Sequence, residues 1–332
     1  PLLCYRRQRQ MCIRDRIFAT VEIRRAGTST GFCSGTLISP SLVATAAHCA
    51  VVEPEPGAVR PASSGTLWVA ADEAELGLMS AKADFYRQRG VALAELSGEE
   101  VATLEPELRP GLAGALQIPH DRVIYPPAAT RWLMEQAMAA GASLQEGVEV
   151  RGLDPSAVGV VTDNGRLTAG HVINAAGAQA AQLTPELPIE PRKGHLVITD
   201  RYPGFCRHQL VELGYVKSAH TMTAESVAFN VQPRQTGQLL IGSSRELVGW
   251  DASINRAIVG LMLQRAQDFL PRLGELFALR TWVGFRPATA DHLPLIGPWP
   301  GREGHWIAAG HEGLGVTMAL GTGKLLADQI LG

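Results

Sequence analysis

GHVINAAGAQAAQL, residues 170–183, is the stretch of sequence that decides the fold of this chain. An apolar run with strand character leads into five small residues, which are Asn174, Ala175, Ala176, Gly177 and Ala178. Small residues at the end of a strand let the backbone approach a bulky planar ligand or its phosphates. A tight turn that packs against a neighbouring element requires the same small residues. The stretch alone leaves both interpretations open.

Two C-terminal stretches favour the ligand-binding interpretation. TWVGFRPATADHLPLIGP, residues 281–298, ends a predicted strand at Gly284 and then presents Arg286 before a proline. HWIAAGHEGLGVTMALGTGKLLADQIL, residues 305–331, predicts a strand, a loop and an apolar helix. The loop contains three glycines, which are Gly310, Gly313 and Gly315. A glycine-rich loop that opens a helix turns backbone N–H groups and the positive helix end toward an anion or an electron-rich ring.

Strands alternate with helices from Gly65 onward. Apolar periodicity predicts helices over residues 72–90 and 126–140, each closed by a glycine. Ser97 and Glu100 have the spacing of a capping box, which opens a short helix between those two. Strands are expected over residues 148–153 and 158–163. This alternation predicts an α/β layer.

The composition excludes several classes of protein. The 30 Lys and Arg against 32 Asp and Glu give a net charge of −2, so nucleic acid is not an expected partner. No stretch approaches the roughly 20 apolar residues of a transmembrane helix, and we expect no transmembrane segment. Five Cys in 332 residues do not make a disulfide framework.

The order of the three stretches resembles that of the D-amino-acid oxidase superfamily, which comprises FAD-dependent glycine, sarcosine and D-amino-acid oxidases and dehydrogenases. The resemblance also includes the helix YPPAATRWLMEQA and the hairpin QPRQTGQLLIGSSRE, and it covers residues 65–332, which are 268 of the 332. It implies an FAD cofactor and a small amine or amino acid as substrate, oxidised by hydride transfer.

The resemblance also implies roles for individual residues. Arg286 matches an arginine that holds the substrate carboxylate, a task that suits the fork of a guanidinium. His311 matches a position near the pyrimidine end of the flavin, where it would stabilise the negative charge of the reduced ring. The main chain of Val150 would meet the adenine. The other implied FAD contacts are Asn174, Ala175, Ala176, Gly177, Gly284, Gly310, Gly313, Leu314, Gly315, Val316 and Thr317.

The sequence departs from the superfamily in two places. Some of its oxidases carry an arginine in the glycine loop, and GHEGLGV has none, which is more similar to the dehydrogenase branch with hydroxyproline dehydrogenase and hydrogen cyanide synthase subunits. Superfamily members also begin with a GxGxxG loop that holds the FAD pyrophosphate, and this chain contains no GxGxxG. We therefore expect an unpaired sheet edge and weak or absent FAD binding.

The predicted architecture is α/β (α+β) in class. We expect an incomplete Rossmann-like cofactor layer from residues 126–183 and 284–332. A mixed or antiparallel substrate sheet is expected from residues 65–120 and 189–283. The electron acceptor stays open between oxygen, a quinone and an iron–sulfur partner subunit. The expected location is cytoplasmic, with peripheral attachment at the inner membrane as the alternative.

The first 64 residues differ from the rest. We interpret residues 1–16 as a non-native leader and the proline-rich residues 51–64 as a linker or junction. Residues 17–50 contain GFCSGTLISPSLVATAAHC, which resembles the N-terminal hairpin of the trypsin-like serine proteases. That resemblance implies His48 as general base and a Cys33–Cys49 bridge.

A truncated serine endopeptidase is thus the alternative function. The family supplies its nucleophile from a GDSGGP-like loop, and residues 51–332 contain no such loop. His48 is therefore expected to lack its serine and aspartate partners. No metal site is expected either, since His120 and Asp121 have no third ligand nearby. GTGKLL at 321–326 lacks the spacing of a phosphate loop.

Overall fold

The computed structural model describes residues 19–24, 31–37, 65–214 and 225–331. Outside the described residues lie the leader 1–16, His48, Cys49 and the linker 51–64. Because Cys49 is among them, the Cys33–Cys49 bridge stays a prediction. The described strands are β1 (Ala19–Arg24), β2 (Gly31–Leu37), β3 (Thr66–Ala70), β4 (Ala94–Ser97), β5 (Gly114–Ile118), β6 (Ser143–Gln145), β7 (Val150–Leu153), β8 (Gly159–Thr162), β9 (Gly165–Thr168), β10 (Val172–Ala175), β11 (Glu190–Arg201), β12 (Gln209–Glu212), β13 (Glu225–Pro233), β14 (Gln238–Glu246), β15 (Ala278–Ala288), β16 (Leu295–Pro298) and β17 (His305–Ala309). The described α-helices are α1 (Glu73–Arg87), α2 (Gly98–Leu104), α3 (Pro126–Ala139), α4 (Ala180–Leu183), α5 (Arg256–Phe269) and α6 (Gly315–Leu331).

The chain divides into two compact units. The first contains Tyr125–Pro191 and Arg286–Gly332 together with the two N-terminal strands, and the second contains Arg60–Ile124 and Arg192–Phe285. We assign the cofactor layer to segments of the first unit and the substrate layer to segments of the second. These two roles stay a prediction.

The first unit is built on a six-stranded sheet in the order β16-β17-β10-β2-β1-β6. Strand β10 pairs in parallel with β17, with Asn174 opposite Ile307, and in parallel with β2, with Asn174 opposite Thr36. All four residues of β10 are buried, which explains why this strand is continuously apolar apart from Asn174. The prediction of an unpaired sheet edge is therefore wrong for β10. The main chain of any extended segment can form the hydrogen bonds of a neighbouring strand, and β2 does so here.

Side chains of both faces of this sheet form the core of the first unit. On one face, Met134 of α3 and Leu326 of α6 pack with Ile173 and Ala308. On the other, Val172 and Ile307 pack with residues of α4 and of the small antiparallel sheet β7-β8-β9. The sheet is thus covered on both sides, as a layer of parallel strands requires.

The second unit contains an eight-stranded sheet in the order β15-β11-β14-β13-β12-β3-β5-β4. It is mixed, because β12 pairs in parallel with β3 whereas β13 pairs antiparallel with β12 and β14. Helix α5 packs on it through an apolar cluster in which the rings of Phe229 and Phe269 stack with centroids 4.4 Å apart. The predicted mixed α/β fold is confirmed.

Local signals placed helices α1, α2 and α3 closely. Helix α1 covers residues 73–87 of the predicted 72–90, and the capping box of Ser97 and Glu100 is present at the start of α2. The helix-like segment after β10 is shorter than its composition indicates, since α4 ends before Pro185, which disfavours helical backbone at Thr184. No helix in the described parts of the chain has the length and apolarity to cross a bilayer.

The stacked phenylalanine pair provides a test of the second core. Replacing Phe269, which is 1% exposed, with Ala removes the stack and leaves a cavity, so the free energy of unfolding should fall by about 3–5 kcal/mol. Urea denaturation followed by circular dichroism measures this change. Leu261→Ala on the same helix, 57% exposed, is the control and should stay within about 0.5 kcal/mol of the parent. Equal losses in the two variants would contradict this core.

Candidate functional site

Two glycine-bearing turns lie at the same edge of the first sheet. Strand β10 ends at Ala175 and β17 ends at Ala309, and the two strands are parallel neighbours. Parallel strands lie about 4.8 Å apart, so their carboxyl ends meet at one edge. The structure therefore brings together NAAGA and GHEGLG, the stretches that the sequence marked for cofactor binding.

Both turns depend on glycines in the left-handed region, Gly177 with φ +55° and Gly310 with φ +81°. Gly310 also has no room for a side chain, since a Cβ there would lie 2.9 Å from Cγ2 of Thr289. Substitution of this glycine would strain the backbone and displace the loop after β17.

The loop after β17 leads into α6, and part of its surface is exposed. Residues Glu312–Leu314 form one 3₁₀ turn, and α6 follows at Gly315. The first turn of a helix has backbone N–H groups without intrahelical partners. Four predicted FAD contacts of this loop are exposed, namely Gly313, Leu314, Val316 and Thr317.

Arg286 lies beside this loop. It is half-buried near the end of β15, and a Cβ built on Gly313 would be 3.9 Å from its Cδ and Nε atoms. The sequence predicted both residues from segments 27 positions apart, and the structure places them in contact range. Gly284, also on β15, belongs to the second unit, is exposed, and has no atom near its open Cβ position.

His311 points into the protein. Its side chain is 4% exposed, and Nε2 lies 2.8 Å from the Thr322 hydroxyl on α6. Its carbonyl accepts from the Leu314 N–H at 2.9 Å, which closes the turn. Burial lowers the pKa of His311, so the ring is neutral at pH 7. The geometry makes His311 a positioning residue of the loop, and its role beside a reduced flavin stays a prediction.

Asn174 serves the turn after β10. Its amide nitrogen donates to the Ala180 carbonyl and the Thr184 hydroxyl, both at 3.0 Å, and its amide oxygen accepts from the Ala176 N–H at 3.2 Å. These bonds support the tight-turn interpretation for the side chain, and Ala175 and Ala176 are 1% exposed. Val150 is 3% exposed and pairs with Thr162. FAD contacts of these four residues stay a prediction.

Sequence reasoning missed a contact between two strained residues. His292 with φ +60° and Glu312 with φ +47° are the non-glycine residues with left-handed backbone among those described. Nδ1 of His292 lies 3.4 Å from Oε2 of Glu312. Such strain clusters at functional sites. No periodicity signals this contact, because both residues lie in turns.

Residues 42–329 match the model of the DAO family, described as FAD dependent oxidoreductase. The chain belongs to this family. It is 32% identical to the hydrogen cyanide synthase subunit HcnC of Pseudomonas aeruginosa over 240 residues. This alignment covers 70% of this chain and 54% of that protein. It is 30% identical over 273 residues to glycine oxidase of Geobacillus kaustophilus, 80% of this chain and 69% of that one.

Solved structures show the same fold. The crystal structure of glycine oxidase from Geobacillus kaustophilus has a TM-score of 0.72 at 29% identity, with 82% of this chain and 72% of that chain covered. The structure of L-proline dehydrogenase from P. horikoshii has a TM-score of 0.73 at 25% identity, with coverage of 82% and 73%. None of the relatives named here is a serine protease, and the chain spans about half the length of HcnC.

The residues of the first unit fit one end of the family's FAD cofactor. The small residues after β10, the exposed residues at the start of α6 and the close packing around Gly310 suit a planar ring and its side chain. The sequence has no GxGxxG for the pyrophosphate. The described residues contain no group of three or more metal-ligating side chains.

The buried His311 predicts a pH dependence. The pKa of His311 in the folded chain lies below its value in the unfolded chain, which is near 6.5. Below pH 6.5 the unfolded chain therefore binds a proton that the folded chain does not bind. Stability present above pH 6.5 is therefore lost as the pH falls through it. The melting temperature should fall between pH 7.5 and 5.5, and His311→Gln should flatten that fall. The exposed His120→Gln serves as control and should follow the parent; a parallel curve for His311→Gln would contradict this assignment.

Proposed function

We propose that this chain is part of an FAD-dependent oxidoreductase that oxidises a small amine or amino acid of the glycine, sarcosine, D-amino-acid or hydroxyproline class. The observation that carries the proposal is the position of Arg286 beside Gly313, in the loop where β17 ends next to β10. Glycine oxidase and L-proline dehydrogenase among the relatives support an amino acid as substrate.

Arg286 would bind and orient the substrate. Its guanidinium presents two parallel N–H donors to a carboxylate, which fixes both the position and the rotation of the amino acid. Orientation of this kind lowers the entropic part of the barrier because the reacting carbon is already aligned. FAD, when bound, supplies the chemistry of accepting a hydride from that carbon.

Other residues of the first unit would hold the cofactor side. The N–H groups in the first turn of α6, which begins at Gly315, would donate to an electron-rich ring. His311 keeps this loop in place through Thr322. The contact between His292 and Glu312 and the packing of Thr289 on Gly310 support the loop from its other side.

The proposal also includes the electron acceptor and the cellular location of the protein. The absence of arginine from GHEGLGV and the similarity to HcnC favour a dehydrogenase that passes electrons to a partner subunit or a quinone over an oxidase. We propose a cytoplasmic location, with peripheral attachment at the inner membrane as the alternative.

Retention of FAD tests the role of the missing GxGxxG. The purified chain should elute from gel filtration without stoichiometric flavin absorbance, because the pyrophosphate lacks the amides that offset its charge. The same residues 65–332 joined to a β-α unit bearing GxGxxG should retain FAD. Stoichiometric yellow protein from the unmodified chain would show that the GxGxxG unit is dispensable.

Arg286→Met tests substrate binding in the FAD-retaining form. Loss of hydrogen bonds to a charged group costs about 1.5–3 kcal/mol, so kcat/KM should fall roughly 10- to 150-fold. Dye reduction with glycine, sarcosine, D-proline and D-hydroxyproline measures this. Arg166→Met, an exposed arginine of the same unit, is the matched control. Unchanged turnover in Arg286→Met would remove the assignment.

A further inference from the structure

The central strands of the second unit, β11, β13 and β14, present two different faces. One face packs on α5, where Val197, Phe229 and Ile241 meet Met262. His195 and Glu246 belong to the same face, since Asn255, the cap of α5, donates its N–H to His195 Nε2 at 3.1 Å and its amide to Glu246 at 2.9 Å. The other face points away from α5.

Register assigns four polar residues to that other face. Ser226 lies directly opposite Arg245 in the β13–β14 pair, so the two share a face. Lys193 lies opposite Glu246, and the residues next to these two, Arg192 and Arg245, therefore point to the other side of the sheet. Ser243 is two residues from Arg245 and joins them. We call Arg192, Ser226, Ser243 and Arg245 the arginine–serine face.

The arginine–serine face is buried and contains unused hydroxyls. Arg192 is 1% exposed, Arg245 5% and Ser243 6%. The hydroxyl oxygens of Ser226 and Ser243 are buried and have no hydrogen-bond partner. A buried hydroxyl without a hydrogen-bond partner destabilises the fold, and a bound ligand would supply that partner.

The adjacent residue Ser244 shows the contrast. It lies on the α5 face and is also buried, but its hydroxyl accepts from the His195 N–H at 2.9 Å and lies 3.0 Å from His195 Nδ1. Lys193 on that face donates to Asp251 at 2.9 Å. Ser244 and Lys193 on the α5 face thus have hydrogen-bond partners within the protein, whereas the hydroxyls of Ser226 and Ser243 opposite do not.

The chemistry of the arginine–serine face selects its ligand. Guanidinium N–H groups only donate, and each guanidinium has five of them, so it can serve a ligand beside a protein partner. Serine hydroxyls donate to the same acceptor. A ligand that satisfies all of these groups is an anion with several acceptor oxygens. Burial of three of the four residues restricts it to a small one.

We propose that the arginine–serine face binds a carboxylate group other than the one held by Arg286, with Arg245 and Ser243 as its main donors. The choice of a carboxylate rests on the proposed amino-acid oxidation. The second unit therefore carries its own substrate-recognition site, independent of Arg286.

Binding of acetate to the purified full chain tests this site without activity or flavin. Isothermal titration calorimetry should show that Arg245→Met raises the Kd for acetate about tenfold or more and that Ser243→Ala raises it about fivefold. Arg201→Met, at the exposed end of β11, should leave the Kd unchanged. Circular dichroism verifies that each variant is folded, and Arg245→Lys, which keeps the charge, replaces Arg245→Met if that variant unfolds.

A pair of neighbouring serines gives the sharpest control. Ser243→Ala removes a hydroxyl without a partner, so it should weaken acetate binding and leave the melting temperature unchanged or raised. Ser244→Ala removes a hydroxyl with partners, so it should lower the melting temperature and leave acetate binding unchanged. The reverse pattern would overturn the proposal.

Four further outcomes separate this inference from the proposed function. No acetate binding by the parent, or binding lost in Arg286→Met alone, would overturn the arginine–serine face while leaving amino-acid oxidation intact. Inorganic phosphate that binds more tightly than acetate, and through Arg245, would overturn the carboxylate assignment. Acetate binding that depends on Arg245, in an FAD-loaded form that oxidises none of the amino acids tested, would support the site and remove the proposed function.

Discussion

The parallel pairing of β10 with β17 is the constraint on which the candidate site depends. Asn174 and Ile307 are partners in this ladder although 133 positions separate them in the sequence. Once the two strands are paired, the turns that follow them share one sheet edge, and every predicted flavin contact in the two turns acquires a common location. The hydrogen bonds of Asn174 favour that register, since a slip by one residue would turn its side chain away from the Thr184 hydroxyl.

The loop after β17 is held by contacts that leave its exposed surface available. His311 is anchored to α6 through Thr322, and Gly310 is packed under Thr289, so the exposed residues from Gly313 onward rest on a fixed base. A binding loop requires both anchored and exposed residues, because residues that contact a ligand need supporting residues with few alternative rotamers. The neutral, buried His311 belongs to the supporting part.

Much of the fold was predictable from local signals. The capping box of Ser97 and Glu100, the prolines that open α3 and the glycines with positive φ act through neighbouring residues in the chain, so the sequence displays them directly. The orientation of His311 and the contact of His292 with Glu312 were not predictable. Each depends on segments brought together by the fold, and neither leaves a periodic pattern.

The amino-acid sequence alone settled helices α1, α2, α3 and α6 and the small residues at the strand ends, because these are carried by residues close together in the chain. The order of its motifs also led to the FAD-dependent oxidoreductase family. Tertiary structure alone decided that β10 has neighbours on both sides, that Arg286 lies beside Gly313 and that Ser243 and Ser244 face opposite sides of one sheet. Pairing and register set these relations, and both are properties of distant segments in contact.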